Sequence, residues 1–290
     1  MKNNIVLAKN YAPLLDEVYQ SASVTADLTS DAAMMRAGAN ANEILYPQIS
    51  VSGLGDYSRN SGYTDGAVSV DWKTAQFNYD RGTRIAVDAM DNQETFDIAF
   101  GMAGAELQRT KVAPEADAFV FATLAGTAGI SIAPPATYVD GEAFLVALIA
   151  AKNEMDEDEV PEEGRILYVT PTLLNAVMVL DSYKSKEVLN GFSMTKKVPQ
   201  SRFYTAIDLQ DGKSAGEELG HFKKADTAKD INFMIIHKPA IIKFDKHVVG
   251  NVISPANNPN ADSYISKYRK YGIVDVYQNK VAGIYLSHKA

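Results

Sequence analysis

With 290 residues, 46% of them apolar and 22% charged, the chain can fold as one large domain or as two to three small lobes, and its composition is not that of a disordered segment. The absence of cysteine excludes disulfides, thiolate metal sites and a cysteine nucleophile, and it fits a reducing compartment. A net charge of -8 argues against a nucleic-acid reader built on one dominant basic face, and no run approaches the roughly 20 apolar residues that a membrane helix needs.

The first twenty residues contain one short apolar run broken by Lys9 and Asn10, which is not the pattern of a signal peptide. Tyr11, Leu14, Leu15, Val18, Tyr19 and Ala22 form one face of a short helix, with Pro13 in its first turn. The small, polar segment 23–42 follows without a clear period. Helix and segment read together as an arm packed on something other than their own lobe; the simpler reading is the first helix of a globular core.

Glu43 to Ser52 alternates at Ile44, Tyr46 and Gln48 and predicts a strand, which Pro47 confines to an edge or an unpaired position. Ala67 to Trp72 alternates through Val68, Val70 and Trp72. Between them Gly53, Gly55, Gly62 and Gly66 punctuate a stretch that cannot bury a core of its own. The unit reads as a long hairpin with a flexible tip. A lone hairpin is barely stable in water, so this one must lie against something, and a neighbouring subunit is one candidate. Trp72, the only tryptophan, reads as packing.

The stretch from Asp71 to Gly126 opens as a strand and closes as a long helix. Asp91 and Glu94 have the spacing of a capping box with Asp91 as cap. Phe96, Ala99, Phe100, Ala103 and Leu107 then form an amphipathic stripe, which resumes after Pro114 at Ala116, Phe119, Val120, Thr123 and Leu124. A continuous helix over 93–125 would run about 50 Å at ~1.5 Å per residue. Pro114 predicts a kink near 110–113, with two helices broken at Pro114 as the alternative.

Pro134, Pro135 and Gly141 mark a lobe boundary. Glu142 to Met155 predicts a helix, and seven acids between Glu154 and Glu163 predict a solvated loop. Arg165 to Thr170 reads as a buried strand, followed by a helix from Pro171 through Leu180. The uneven segment 181–229 suggests loops with short elements. NFMIIHK and AIIKFDK are strands around Pro239, and IVDVYQ and VAGIYLS are closing strands joined by a tight turn at Asn279-Lys280. His221, His237, His247 and His288 lack metal-ligand spacing, and there is no nucleophile elbow, phosphate loop or dinucleotide fingerprint. No catalytic, cofactor or metal site is expected.

Three passages read together resemble the major capsid proteins of tailed bacteriophages, the Hong Kong 97-type shell fold: VDWKTAQFNYDRGTRIAVDAMDNQET leading into AELQRTKVAPEADAFVFATLAG, EDEVPEEGRILYVTPTLLNAV, and SKYRKYGIVDVYQNKVAGIYLS. The resemblance implies an α+β fold with an N-terminal arm (1–43), an extended β-hairpin loop (44–90), a peripheral domain with the spine helix (91–139), an axial domain (140–245) and C-terminal strands returning to both (246–290). It implies an assembly role for the hairpin tip, at Gly53, Gly55, Tyr57, Arg59, Gly62, Tyr63 and Gly66, and for a spine helix carrying Asp91, Glu94, Phe96, Phe100, Leu107, Pro114 and Phe119.

The implied function is a structural subunit assembling as pentamers and hexamers into an icosahedral phage head around double-stranded DNA. The head would be built in the bacterial host cytoplasm with a scaffolding protein and a portal, away from any membrane. The excess of Lys243, Lys246, Lys267, Arg269, Lys270, Lys280 and Lys289 over Asp245, Asp262 and Asp275 would screen DNA weakly and without sequence specificity. Some family members cross-link a loop lysine to a neighbour's asparagine; Lys73 is the only lysine from 44 to 90 and lies far from the tip, so no such cross-link is expected. A cleaved N-terminal scaffolding segment is not expected either. The competing readings are an encapsulin-type compartment for protein cargo and a soluble α/β enzyme whose site is built from scattered residues.

Overall fold

The computed structural model describes residues 23–30, 36–37, 42–60, 62–63, 65–94, 104–180, 183–217 and 220–290. Contacts divide the chain into two compact units, residues 31–78 and residues 1–30 with 79–290. The expected helix over 11–22 lies outside the described residues.

In the smaller unit, β1 (Arg36–Ala37), β2 (Glu43–Val51) and β3 (Val68–Gln76) form an antiparallel sheet in that order. β2 and β3 stay in register over nine pairs, from Glu43 opposite Gln76 to Val51 opposite Val68. Pro47 stands opposite Trp72, beyond the two residues of β2 that pair with β1. Among the described residues its far edge is open, the position in a strand that tolerates a residue without an amide hydrogen.

The larger unit begins with β4 (Tyr79–Asp88), which runs into the short helix α1 (Ala89–Glu94). The expected cap is corrected here: Asp88 Oδ1 accepts from the Met90 amide at 2.9 Å, and Asp91 lies inside the first turn. An acidic residue one turn earlier satisfies the same free amides, so spacing to Glu94 alone picked the wrong aspartate. Where the described residues resume, at 104, the chain is helical; it passes through a π-helical stretch at Gln108–Val112 and continues as α2 (Ala113–Ala125). The helix does not break at Pro114. The irregularity falls just before it, where the Ala113 amide reaches back five residues to the Gln108 carbonyl. A π turn is one of the few ways a helix absorbs a proline without opening.

After α2 come β5 (Ser131–Ile132), α3 (Gly141–Glu157), β6 (Arg165–Val169), α4 (Pro171–Val179), α5 (Tyr183–Asn190), β7 (Met194–Lys197), β8 (Ile207–Gln210), β9 (His221–Lys224), β10 (Ile231–His237), β11 (Ile241–Ile253), β12 (Ser263–Val276) and β13 (Ile284–His288). α3 starts at Gly141, where any Cβ would run into the Ala176 carbonyl of α4. Asp140 caps it, its carboxylate accepting from the Ala143 amide at 2.8 Å.

The core is a five-stranded mixed sheet, β5–β13–β10–β6–β7, whose central strands β13, β10 and β6 are buried on both faces. That explains why β6 and β10 read as unbroken apolar runs rather than alternations. Ile166, Tyr168, Met234, Ile236, Ile284 and Leu286 face α2. Leu167, Val169, Phe233, Ile235 and Tyr285 face the side packed by Phe144, Leu148 and Met155 of α3 and by Leu174 and Val177 of α4. A separate sheet, β11–β12–β4, has a bulge between Asp245 and His247. β8 and β9 pair on their own.

The expected closing hairpin is also corrected. β12 pairs with β11 and β4, whereas β13 enters the five-stranded sheet between β10 and β5, and a 3-10 turn at Gln278–Gly283 joins them. Asn-Lys lacks the glycine that a two-residue hairpin turn demands, and β13 gains a fully buried place by leaving β12.

Candidate assembly surface

The hairpin has two unlike faces. Pairing in register puts Pro47 opposite Trp72, Ile49 opposite Val70 and Val51 opposite Val68 on one face. The other face carries Gln48 opposite Asp71 and Ser50 opposite Ser69. Nearer the base, Ile44, Tyr46 and Ala75 are buried. Further out the apolar ladder is bare, with Ile49 61%, Val51 65%, Val68 66% and Val70 52% exposed. Covering a side chain of this kind contributes about 1.5–3 kcal/mol, so the ladder holds apolar surface whose burial is still to be gained. Alternation on β3 announced half of it; the β2 half, Ile49 and Val51, was legible in QISVS but was passed over for the other parity.

Beyond the ladder, the Ser52 amide donates to the Ala67 carbonyl at 2.9 Å, and the Ala67 amide donates to Ser52 Oγ at 2.8 Å, holding the two chains together where the ladder ends. Gly53, Gly55, Arg59 and Gly66 are exposed. An isolated bridge between Ser58 and Gly62 closes the tip, with Gly62 at φ +83, a conformation that suits glycine. It brings Tyr57 and Tyr63 edge to face at 4.9 Å, 61% and 88% exposed. Two bare tyrosines stand at the end of an apolar ladder, and large apolar bodies with a polar end are the kind of side chain favoured at protein interfaces.

Of the spine residues, Phe96 and Phe100 lie outside the described residues, and so does the side chain of Glu94. Leu107 lines a cavity of about 360 Å3 with Tyr79, Arg81, Lys111, Glu115 and Tyr268. Pro114 is half-buried, and Phe119 packs its ring 4.9 Å from that of Tyr79. The amphipathic reading of α2 understated its burial. Phe121 and Asp117, outside the expected stripe, are fully buried along with Leu124.

Asp117 anchors the residues that precede the hairpin unit. Its carboxylate accepts from Ser23 Oγ at 2.7 Å, the Val24 amide at 3.0 Å, the Thr25 amide at 3.1 Å, Thr25 Oγ1 at 2.7 Å and Arg202 at 2.9 Å. Lys243, buried, donates to the Thr25 carbonyl at 2.5 Å, and Ser30 exchanges backbone and side-chain bonds with Lys243 and Ile241. Leu28 enters the core beside Val120 and Phe121. Residues 23–30, expected to belong to an arm, are therefore clamped to their own subunit. A second clamp fixes the acidic stretch: Arg165, 1% exposed, pairs with Asp156 at 2.6 Å and bonds the carbonyls of Val160 and Pro161. Among the described residues no group of histidine, aspartate and glutamate is placed to hold a metal ion, and no helix is long and apolar enough to cross a membrane.

No family model and no curated protein sequence matches the chain. Solved structures do. The capsid of cyanophage P-SCSP1u superposes with a TM-score of 0.59 at 16% identity, over 93% of this chain and 88% of that one. A structure from Mycobacterium phage Che8 gives 0.56 at 15% identity, over 91% and 90%. This is the tailed-phage capsid shell fold. A virus-like particle from Pyrococcus furiosus shares it, with a TM-score of 0.60 at 10% identity over 98% and 100% of the two chains. Coverage is near-complete in both directions, so the likeness in fold is not confined to one segment of the chain.

Proposed function

We propose that the chain is a major capsid subunit that self-assembles as pentamers and hexamers into an icosahedral phage head. The observation that carries this reading is the bare ladder of Ile49, Val51, Val68 and Val70 on a hairpin, within a fold shared with phage capsids. An apolar hairpin face of this length is unstable in water by itself and finds its cover on a neighbouring copy. On this reading the chain divides into an arm over 1–43, whose residues 23–30 are its fixed root, the extended loop over 44–90 with its tip at Gly53 to Gly66, a peripheral domain over 91–139, an axial domain over 140–245 and the returning strands over 246–290. Enclosed double-stranded DNA meets the lumenal surface weakly and without sequence specificity. A scaffolding protein and a portal take part, and assembly proceeds in the host cytoplasm. The subunit works as structure and not as an enzyme.

The test is sedimentation and negative-stain microscopy of the purified chain beside Ile49→Lys combined with Val70→Lys. The parent forms capsomers or closed particles. The double variant keeps the parent's circular dichroism and loses the particles. Equal particle yield from both removes the ladder from the interface. The likeness to a virus-like particle from a cellular organism, Pyrococcus furiosus, is the observation behind a second reading, in which the shell is a compartment for protein cargo. Particles recovered from the native source that hold protein and no nucleic acid would decide for it.

A further inference from the structure

Two charged patches of the larger unit carry more charge than their own ion pairs offset among the described residues. The first is on the β11–β12–β4 sheet. Its register sets Arg84 directly opposite Lys267 and Gly82 opposite Arg269, so the three cations share one exposed face. Arg269 is bonded to Asp80 at 2.6 Å. Arg84 and Lys267 have no ion pair among the described residues. Like charges placed directly opposite one another weaken a strand pair. Gly82 beside them leaves a shallow cleft of about 400 Å3 over this face.

The second patch is the turn after α3. Asp156 and Glu157 close the helix, Asp158 is its C-cap, and Glu159, Glu162 and Glu163 follow. A helix C-terminus carries negative partial charge, so carboxylates there are unfavourable. Asp156 is satisfied by Arg165, which also fixes the turn through its carbonyls. Glu157, Asp158, Glu159, Glu162 and Glu163 are exposed and have no ion pair among the described residues.

We propose that the acidic turn of one copy docks on the Arg84–Lys267–Arg269 face of the next. Each patch is held at a local electrostatic cost that the other removes. Duplex DNA could relieve only the basic one, which is why a second copy is the better occupant. The contact joins two different surfaces, so it is head-to-tail, the kind of contact that builds a ring when the rotation between copies closes and a filament when it does not. It rests on the shell reading above and adds where one subunit grips another by charge.

The test compares the parent with three charge-reversed chains: Arg84→Glu with Lys267→Glu, Glu157→Lys with Glu159→Lys, and all four together. Particle yield is read by sedimentation at low and high salt, and melting temperature checks the fold. Each two-site variant is expected to lose about tenfold or more in yield, the four-site chain to recover most of it, and the parent's yield to fall as salt screens the contact. If the reversed chains assemble like the parent, or the four-site chain recovers nothing, this contact is wrong while the shell reading stands. If the Arg84→Glu, Lys267→Glu chain assembles normally but no longer retains a short DNA duplex, the occupant is nucleic acid and the proposal falls. A parent that is monomeric in every condition overturns the shell reading and this contact with it.

Discussion

At Asp117 five donors converge on one carboxylate with no exposure to water. Removing such a group takes a shared acceptor from two hydroxyls, two backbone amides and Arg202 at once. Breaking a buried charge pair from one side typically costs about 3–5 kcal/mol. Asp117→Ala is therefore expected to lose a stability of that order in urea unfolding, and to expose residues 23–30 to protease before the rest of the chain. Loss of less than about 1 kcal/mol, within the ordinary range for a surface change, would show that the clamp is ornamental. Lys243 gives a pH test. Burial pushes its ammonium down to about 8, with Lys270 adding repulsion and Asp117 and Asp245 opposing the shift. The unfolded chain then holds the proton more tightly than the native one between about pH 8 and the usual lysine value of 10.5. Stability must rise with pH across that window, because the penalty of burying the charge is present below pH 8 and is relieved above it. A shift of this size corresponds to on the order of 3 kcal/mol. Urea unfolding at pH 7 and pH 9.5 should show the parent gaining stability relative to Lys243→Met. The opposite slope would mean that the ammonium is stabilised where it sits.

Among the elements, hairpin and long helix make different claims on the sequence. The tip carries no core, so replacing Leu54 to Asp65 with Asn-Gly should leave melting temperature near that of the parent, within the ~0.5 kcal/mol usual for surface loops. Tyr57 and Tyr63 go with it, and assembly should fall or be misdirected. Sedimentation of the shortened chain beside its parent reads the outcome, and equal particle yield would return the tip to a passive loop. The helix is tested at Pro114. Its π turn lies directly ahead of a residue that cannot donate, and the Ala113 amide reaches back to the Gln108 carbonyl. Pro114→Ala restores one backbone donor, worth about 1 kcal/mol, and is expected to keep the fold and raise the melting temperature by a few degrees. A lower melting temperature would show that the π stretch is set by packing around Gln108, which is buried, rather than by the proline.

For the whole molecule the two kinds of surface predict a division of labour. On the proposed assembly the ladder would supply affinity through apolar burial, roughly 1.5–3 kcal/mol per large side chain covered. Exposed ion pairs supply about 0–1 kcal/mol each and mainly fix partner and register. Raising salt should therefore reduce assembly accuracy and rate before it abolishes association. Particles formed at high salt are expected to be fewer and more irregular in negative stain, with subunit association retained. Complete dissociation by salt alone would place the affinity in the charges and not in the hairpin.

The sequence by itself determined what short-range periodicity can encode. The alternation of β3, the glycine-rich tip, the Pro171 helix start, the unbroken apolar strands β6 and β10 and the proline-induced irregularity ahead of Pro114 are all local patterns, and the order of these elements carried the likeness to the capsid shell fold. Tertiary structure alone decided the contacts between residues distant in the chain. Asp117 meets Ser23 across 94 positions, and Lys243 meets Thr25 across 218. Neither leaves a mark on its own neighbourhood, because an aspartate inside a helix and a lysine on a strand read as solvated until the fold buries them. The same holds for Arg84 opposite Lys267, which only strand register brings together, and for the parting of β12 and β13, which follows from the competing sheets each can join and not from the turn between them.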